Sequence, residues 1–302
     1  MKNEFDVQYQ EMLKNILETG IEEKNERTGH VCKSLPGMTM KFDLEKGFPI
    51  LTLRKIPLKV FIAEQIWFLM GRRDLEFLQK FTKIWDNFVI EVKTAERRPV
   101  KLKDGSNYWI GSDTTENVVE AAYGYRWRKH FNRDQIKGLV DLLSADHTSR
   151  HGVVLMWDPG DDGLSNGTKK KNVPCPYTYT VQIIGGRLCL HLIIRSNDMM
   201  LGNPHDVSGF ALLAHFLAQK IGVGVGTMTI SISNAHIYDI HFDQAKEIVS
   251  RKIVHEPVKF NCPQNAFDRA ENGDESLVEE IFVELKKNYN PQEALGKIEI
   301  VL

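Results

Sequence analysis

The sequence has few cysteines, no long hydrophobic run and no excess of charge of either sign. Its four cysteines are widely separated, and no Cys-x-x-Cys pair suggests a zinc or redox site. No apolar run approaches the roughly 20 residues that span a bilayer, and the charged N-terminal segment lacks the apolar core of a signal peptide. A formal net charge of -1 predicts no general attraction to nucleic acid or to an anionic membrane. We therefore expect a metal-free cytoplasmic protein (in the host cell, if the source is viral) that binds a small anionic metabolite.

The chain is long enough to bury a full core. Its 302 residues are 42% hydrophobic and 26% charged, without a repeat or a clean linker, so we expect one α+β domain over 1–302 with a polar, irregular insertion at about 90–120. Periodicity predicts helices at 8–20, 59–70, 134–144, 207–221 and 236–251, and strands at 152–157, 177–184, 187–196 and 227–233. Gly185-Gly186 predicts a tight hairpin turn.

Cys175 lies between Pro174 and Pro176, just before a predicted strand. A cysteine in such a place is more often inert core than a nucleophile, since free cysteine is among the most buried residues. A thiol with an ordinary pKa near ~8.5 needs a neighbouring cation to ionise at neutral pH, and Arg195 on the adjacent hairpin arm is a candidate. A Cys-His protease is the rival interpretation, but no protease signature surrounds Cys175.

Several charged residues stand at positions that need an explanation. Glu64 falls within an otherwise apolar helix, so it must be paired, hydrated or functional. Asp206 precedes an apolar, periodic segment, where Asp is a preferred helix N-cap. Arginines in quite different segments are Arg27, Arg126, Arg150 and Arg195. A phosphate dianion prefers several forked donors, so their convergence would make a strong phosphate site.

A cysteine, a hairpin and an Arg-Ser-x-Asp-x-x-Leu-Gly-x-Pro motif follow one another between Cys175 and Asp206. This order closely resembles the thymidylate synthase family. The resemblance covers about 8–251, whereas the insertion at 90–120 and the segment 252–302 match poorly. It implies a homodimeric α+β protein with a three-layer fold, a large twisted mixed sheet and flanking helices. It also implies 5,10-methylenetetrahydrofolate as the cosubstrate and a pyrimidine nucleoside monophosphate as the substrate.

The resemblance implies roles for individual residues. Cys175 would attack C6 of a pyrimidine ring so that C5 takes a one-carbon unit, and Glu64 and Tyr123 would move protons and orient water. Arg150 would cross a dimer interface into the partner's site. Phosphate and sugar contacts are implied for Arg27, Arg150, Arg195, Ser196, His236 and Tyr238. A folate-facing wall is implied for Ile84, Trp85, Asp198, Leu201 and Gly202.

Asp206 stands where thymidylate synthases carry an asparagine that reads uracil. Cytosine presents the reversed pattern, with an acceptor at N3 and a donor at N4. A protonated Asp206 would donate to N3 and accept from N4, and an ionised one would pair with N3-protonated cytosine, which is also more electrophilic at C6. Either state is expected to reject uracil, at ~1–3 kcal/mol per mismatched group. Asp at this position is the mark of the deoxycytidylate hydroxymethylases.

Three further departures from the family pattern are His151, Pro176 and Phe88, where Arg, His and Trp are common. The last two suggest that the late steps differ from those of the thymidylate synthases: a C5 methylene intermediate receives either hydride, giving methyl, or water, giving hydroxymethyl, and the sequence leaves this choice open. The expected activity is conversion of dCMP, 5,10-methylenetetrahydrofolate and water to 5-hydroxymethyl-dCMP and tetrahydrofolate, as needed for DNA base modification. The alternatives are a thymidylate synthase or dUMP hydroxymethylase, a CMP hydroxymethylase or dCMP C5-methyltransferase, and a non-catalytic nucleotide- or RNA-binding relative.

Overall fold

The computed structural model describes residues 2–26, 28–95, 98–101, 107–110, 113–163 and 173–301. The strands are β1 (Ile21–Lys24), β2 (Val31–Asp43), β3 (Ile90–Ala95), β4 (Arg98–Lys101), β5 (Asn107–Ile110), β6 (Asp113–Val118), β7 (Val153–Leu155), β8 (Pro176–Ile184), β9 (Arg187–Ile194), β10 (Asn197–Asp198) and β11 (Gly224–Tyr238). The helices are α1 (Glu4–Thr19), α2 (Leu58–Leu69), α3 (Tyr123–Tyr125), α4 (Gln135–Ala145), α5 (Gly202–Ile221), α6 (Phe242–Ser250), α7 (Ala266–Glu271) and α8 (Glu275–Lys286).

One mixed sheet organises the fold. Its strands follow the order β1-β2-β11-β9-β8-β7, and the short β10 pairs with β11. β9 and β10 run parallel to β11, whereas the other neighbours are antiparallel. This mixed sheet with flanking helices confirms the predicted α+β class.

The predicted hairpin joins β8 to β9. Gly185 and Gly186 have φ angles of 61° and 75°, which residues with a Cβ rarely adopt. Alternate residues of β9 are buried, so one face of the sheet packs on the core while the other is half-buried. At the open end of the hairpin the backbone N–H of Arg195 donates to the carbonyl of Cys175 at 2.9 Å, which places these two residues side by side.

Helices α1 and α5 cover the buried face of the sheet, and α2 packs on α5. Asn3 caps α1 by accepting a 3.0 Å hydrogen bond from the N–H of Phe5, and one apolar face of the helix is buried. α5 packs against β9, β11 and α2, and α2 packs against α7 and α8. Because α2 and α5 are buried on most faces, their polar residues Glu64 and Asp206 lie inside the protein. None of the described helices is both long and apolar enough to cross a bilayer.

Two secondary-structure predictions were wrong. The insertion at 90–120 was expected to be irregular, but β3 pairs with β6 and β4 pairs with β5 in its described parts. These segments are rich in β-branched and aromatic residues, which favour strands. The helix predicted at 236–251 begins only at Phe242, because 234–238 continue β11 and pair in register with β2.

The start of α5 also differs from its prediction. The helix begins at Gly202 with Leu201 as its N-cap, and Leu201 makes no side-chain capping bond. Pro204 fits the first turn, where its missing N–H would have no partner within the helix in any case. Asp206 therefore lies inside the helix, and the interpretation of Asp206 as an N-cap was wrong.

Candidate active site

A pocket of about 210 Å³ opens between α2, α5 and the segment that carries Cys175. Predicted site residues that line it are Glu64, Ile84, Trp85, Tyr123, Cys175, Ser196, Asp198, Leu201, Gly202 and Asp206. Much of the remaining wall is aromatic, from Phe61, Phe68, Phe88 and Phe210. A concave, largely apolar site with a few converging polar groups is the usual form of a small-molecule pocket.

Cys175 and Arg195 lie side by side at the edge of the pocket. Nη2 of Arg195 lies 3.8 Å from the sulfur of Cys175. The guanidinium is oriented by two backbone carbonyls, because Nε donates to Pro174 at 2.9 Å and Nη2 donates to Val173 at 3.1 Å. A cation held beside a thiol favours the thiolate, which is the nucleophilic form.

Tyr123 closes the pocket next to the cysteine. Burial raises its pKa well above the ordinary value, and its hydroxyl hydrogen-bonds the backbone of Cys175. The following residue must be glycine, since a Cβ on Gly124 would lie 2.0 Å from the carbonyl oxygen of Phe68. This close approach of α3 to α2 fixes Tyr123, which remains a neutral hydroxyl at physiological pH.

Glu64 projects from α2 into the same pocket. The indole N–H of Trp85 donates to its Oε1 at 2.5 Å. Burial raises the pKa of Glu64 to about 8, and the nearby Asp206 adds to the rise. A carboxyl group with a pKa close to neutrality can both donate and accept protons during a reaction.

Asp206 faces Glu64 from α5. Burial raises its pKa to about 7, and the charge of Asp198 adds to the rise. The side-chain N–H of Asn197 donates to Oδ2 of Asp206 at 2.8 Å. This hydrogen bond lowers the pKa of Asp206, because it favours the carboxylate. Both protonation states of Asp206 are therefore populated near neutral pH.

His236 and Tyr238 lie behind the pocket rather than in its wall. They end β11, where His236 pairs in register with Asp198 of β10. The rings of His236 and Tyr238 meet edge to face at 5.0 Å, and Nδ1 of His236 lies 3.1 Å from Oδ1 of Asn234. Burial lowers the pKa of His236, so its imidazole is neutral at physiological pH.

The predicted arginines do not all converge. Arg150 is exposed and is not part of the pocket wall, and Arg27 lies outside the described residues. Arg126 is fully buried elsewhere and lies 3.1 Å from Asp162, so its assignment to the phosphate site was wrong. It belongs to a charged group, the Arg126 cluster, made of Arg126, His130, Asp158, Asp161 and Asp162. Three carboxylates lie within salt-bridge distance of its two terminal nitrogens, so the charge of this guanidinium is compensated inside the cluster.

Sequence reasoning missed two features of the pocket. Ile300 and Val301, near the C-terminus, line it, and no local pattern indicates this long-range contact. Asn197 also lines it and is joined to the buried Asn203 by a hydrogen bond of 2.8 Å. These two asparagines stand within the motif that was singled out, so two amides close to Asp206 were a readable signal.

A family model described as thymidylate synthase matches residues 7–298. The chain belongs to the thymidylate synthase family. A thymidylate synthase from Listeria innocua serovar 6a is similar to it, with 29% identity over 276 residues, covering 81% of this chain and 86% of the relative. The family match runs past residue 251, so the expectation that 252–302 depart from the family was wrong. α7 and α8 in this segment pack against α2 and α5, the helices that build the pocket.

Membership in the thymidylate synthase family makes this chain a folate-dependent one-carbon transferase. The family uses 5,10-methylenetetrahydrofolate as its cosubstrate and binds a pyrimidine nucleoside monophosphate. The pocket fits a flat pterin, because the ring of Trp85 is braced by Phe88 at 5.4 Å and by Tyr123 at 5.6 Å. Within the described ranges, no group of His, Cys, Asp or Glu residues could hold a metal ion.

Proposed function

We propose that this protein converts dCMP, 5,10-methylenetetrahydrofolate and water to 5-hydroxymethyl-dCMP and tetrahydrofolate. The observation that carries the proposal is the environment of Asp206. Its carboxyl group lies in the pocket wall, inside α5, and caps no helix end. A buried carboxyl group that serves no local structural purpose is expensive to keep, which supports a role in binding the base.

Asp206 provides the hydrogen-bonding groups that the Watson-Crick edge of cytosine requires. In its neutral state one oxygen donates a proton to N3 and the other accepts from the N4 amino group. In its ionised state it pairs with cytosine protonated at N3, which makes C6 more electrophilic. Because Glu64 faces the same space, Glu64 and Asp206 can share the proton changes of the reaction.

The Cys175 thiolate begins the reaction by forming a bond from its sulfur to C6 of the ring. The electron pair of the C5–C6 double bond then becomes available at C5, and the folate supplies the one-carbon unit that C5 takes up. Arg195 stabilises the thiolate at the start and again when the bond from sulfur to C6 breaks. Tyr123, hydrogen-bonded to the backbone of Cys175, is placed to orient the water through which the C5 proton passes to a carboxylate of the pocket.

Water, rather than hydride, completes the proposed reaction. Phe88 lines the pocket where the family commonly has tryptophan, and Pro176 follows the nucleophile where the family commonly has histidine. Glu64, with its pKa of about 8, is suited to deprotonate an attacking water and later to return the proton. The smaller ring of Phe88 next to Trp85 leaves room for that water.

A homodimer is part of the proposal. The second face of the central sheet is half-buried in one subunit, and Val153 and Leu155 of β7 are exposed there at 50% and 47%. A sheet face that is only half-buried and carries exposed apolar side chains on its edge strand is suited to a second copy of the chain. Arg150, which is exposed and precedes β7, would then reach the phosphate in the partner's pocket.

Product analysis by mass spectrometry tests this proposal. The protein is incubated with 5,10-methylenetetrahydrofolate and an equimolar mixture of dCMP, CMP and dUMP. We expect one new species with the mass of dCMP plus a hydroxymethyl group, whose oxygen comes from labelled water. A methylated dCMP would contradict water as the acceptor, and a product from CMP would contradict the deoxyribose assignment.

A thymidylate synthase or dUMP hydroxymethylase is the second candidate, favoured by the Listeria relative named as a thymidylate synthase. The same mixture separates the two candidates, because conversion of dUMP alone would show that Asp206 does not read cytosine. Absence of any product, with nucleotide still bound, would favour a non-catalytic binding protein.

A further inference from the structure

Two buried asparagines and the half-buried Asp206 form a directed chain of hydrogen bonds at the pocket. Nδ2 of Asn203 donates to Oδ1 of Asn197 at 2.8 Å, and Nδ2 of Asn197 donates to Oδ2 of Asp206 at 2.8 Å. Asn197 and Asn203 are 2% and 0% exposed. Since Asn197 is in the pocket wall beside Asp206, the chain ends on the carboxyl group that is proposed to read the base.

The direction of this chain is set at its far end. Nδ2 of Asn203 also lies 3.7 Å from the sulfur of Met40, and a thioether accepts hydrogen bonds but cannot donate one. Both N–H groups of Asn203 are thereby directed, one to Met40 and one to Asn197, while its Oδ1 has no donor among the described residues. The amide of Asn197 must then turn its own N–H group toward Asp206.

This direction matters because a neutral carboxyl group does not by itself distinguish cytosine from uracil. With the proton on one oxygen it presents a donor to N3 and an acceptor to the exocyclic group, which fits cytosine. With the proton on the other oxygen the pattern is reversed and fits uracil. A protonated Asp206 therefore rejects uracil only if something confines its proton to one oxygen.

We propose that Asn197, held in place by Asn203, is a specificity-determining positioning residue that keeps Oδ2 of Asp206 as an acceptor and confines the proton to Oδ1. Oδ2 then accepts from Asn197 and from the N4 amino group of cytosine, using its two lone pairs, while Oδ1 donates to N3. Uracil would place its O4 acceptor against the acceptor Oδ2 and its N3–H donor against the Oδ1–H donor. Neither hydrogen bond could form. This assignment deepens the proposed function and rests on it.

The other titratable groups around Asp206 do not provide the same control. Glu64, Tyr123 and Asp198 share its pocket, and each influences how readily Asp206 ionises or is influenced by it. None of them makes a hydrogen bond to the Asp206 carboxyl within the described residues, whereas Asn197 does. When Asp206 is ionised, both of its oxygens accept and uracil is rejected without help, so Asn197 matters most below about pH 7.

The test is the ratio of kcat/KM for dCMP to that for dUMP at pH 6, measured in competition for the full-length dimer. Asn197→Leu removes the donor with little change in volume. Asn203→Leu leaves Asn197 in place but frees the amide of Asn197 to rotate. If Asn197→Leu does not fold, the Asn203→Leu variant alone decides the question. Asn3→Leu is the matched control, since Asn3 is also 2% exposed and its side chain both donates and accepts a hydrogen bond, but it caps α1 and does not line the pocket.

We expect the ratio to fall by ~10-fold or more in both pocket variants, through increased use of dUMP, and to stay unchanged in the control. Rates that fall equally for both nucleotides would mean that Asn197 only supports the fold, and would overturn the assignment while leaving the proposed function intact. A wild-type preference for dUMP would remove the proposed function itself, before any variant is made.

Discussion

The pocket and the Arg126 cluster both bury charged residues, but they do so in opposite ways. In the pocket, Glu64 and Asp206 accept hydrogen bonds from neutral side chains, and burial raises the pKa of each toward neutrality. In the Arg126 cluster, a hydrogen bond from His130 and the charge of Arg126 lower the pKa of Asp158. The carboxylates of the cluster are paired with a cation, whereas Glu64 and Asp206 of the pocket are poised between two protonation states.

This difference distinguishes buried charged groups that can take part in a reaction from those that only stabilise the fold. A buried ion pair holds one protonation state over a wide pH range, so it can position a loop but cannot transfer a proton. A buried carboxyl group without a cation costs stability and is able to exchange its proton near neutral pH. Buried charged residues therefore mark a structural region in one place and a reactive region in the other.

The largest effect is expected from Cys175→Ala, which should lower turnover by ~10⁴-fold or more while the folded protein still binds dCMP. Single-turnover assays and calorimetric titration with dCMP measure the two properties. Cys189→Ala is the control, because this thiol lies on the half-buried face of β9 outside the pocket. Equal loss of activity in both variants would contradict the assignment of Cys175 as the nucleophile.

Asp206→Asn should reverse the preference between nucleotides. An amide in this place donates and accepts in a fixed order and suits uracil, so the ratio of kcat/KM for dCMP to that for dUMP should fall by ~10³-fold. The measurement is competition between the two nucleotides at several pH values. The variant should also lose the pH dependence of binding near pH 7 that comes from the raised pKa of Asp206. An unchanged preference would show that the base is read elsewhere.

Arg126→Met should destabilise the protein by ~3–5 kcal/mol, because it leaves several carboxylates without their buried cation. Urea unfolding at neutral pH measures the change. Arg187→Met is the control, since its partner Glu45 and Arg187 itself are about half exposed and such pairs contribute ~0–1 kcal/mol. If Arg126→Met unfolds no more easily than Arg187→Met, the cluster does not have the structural role described above.

The contrast between these regions could be only partly predicted from the sequence. The hairpin was predictable because Gly185-Gly186 and strict alternation are local signals. The start of α5 was not, because Gly202, Asn203 and Pro204 read locally as a loop, while the tertiary hydrogen bonds of Asn203 hold them in a helical turn. The extension of β11 through Tyr238 likewise depends on pairing with the distant β2.

The candidate site likewise has parts that could be predicted from the sequence and parts that could not. The motif around Cys175 and Arg195 predicts their proximity, since adjacent arms of one hairpin bring them together. The partners of Arg126 come from a loop some thirty residues later in the chain, with no periodic pattern to reveal them. Pairings between distant segments depend on the whole fold and leave no trace in a local window.

Glu64→Gln should lose activity by ~10²-fold or more and yet stabilise the fold at alkaline pH. The pKa of Glu64 rises from 4.5 to about 8 on folding, so the wild-type protein loses stability as pH rises through this window, at ~1.4 kcal/mol per pKa unit. Glutamine keeps the bond from Trp85 and does not ionise. We expect an advantage of at least ~2 kcal/mol at pH 8 that shrinks toward pH 5. A pH-independent difference in urea unfolding would contradict the raised pKa.

The smallest expected effect is the difference in stability lost when each of two carboxylates in the Arg126 cluster is neutralised. Asp162 is fully buried and accepts hydrogen bonds from Arg126 at 3.1 Å and from the backbone N–H of Asp158 at 2.9 Å. Asp161 contacts the same guanidinium at 3.3 Å, but its side chain is 43% exposed. Asp162→Asn should cost ~1–3 kcal/mol, whereas Asp161→Asn should cost under ~1 kcal/mol because water screens the exposed pair. Urea unfolding of both variants at pH 7 decides the point, and equal losses would mean that proximity to Arg126, rather than burial of the partner, determines the strength of the cluster.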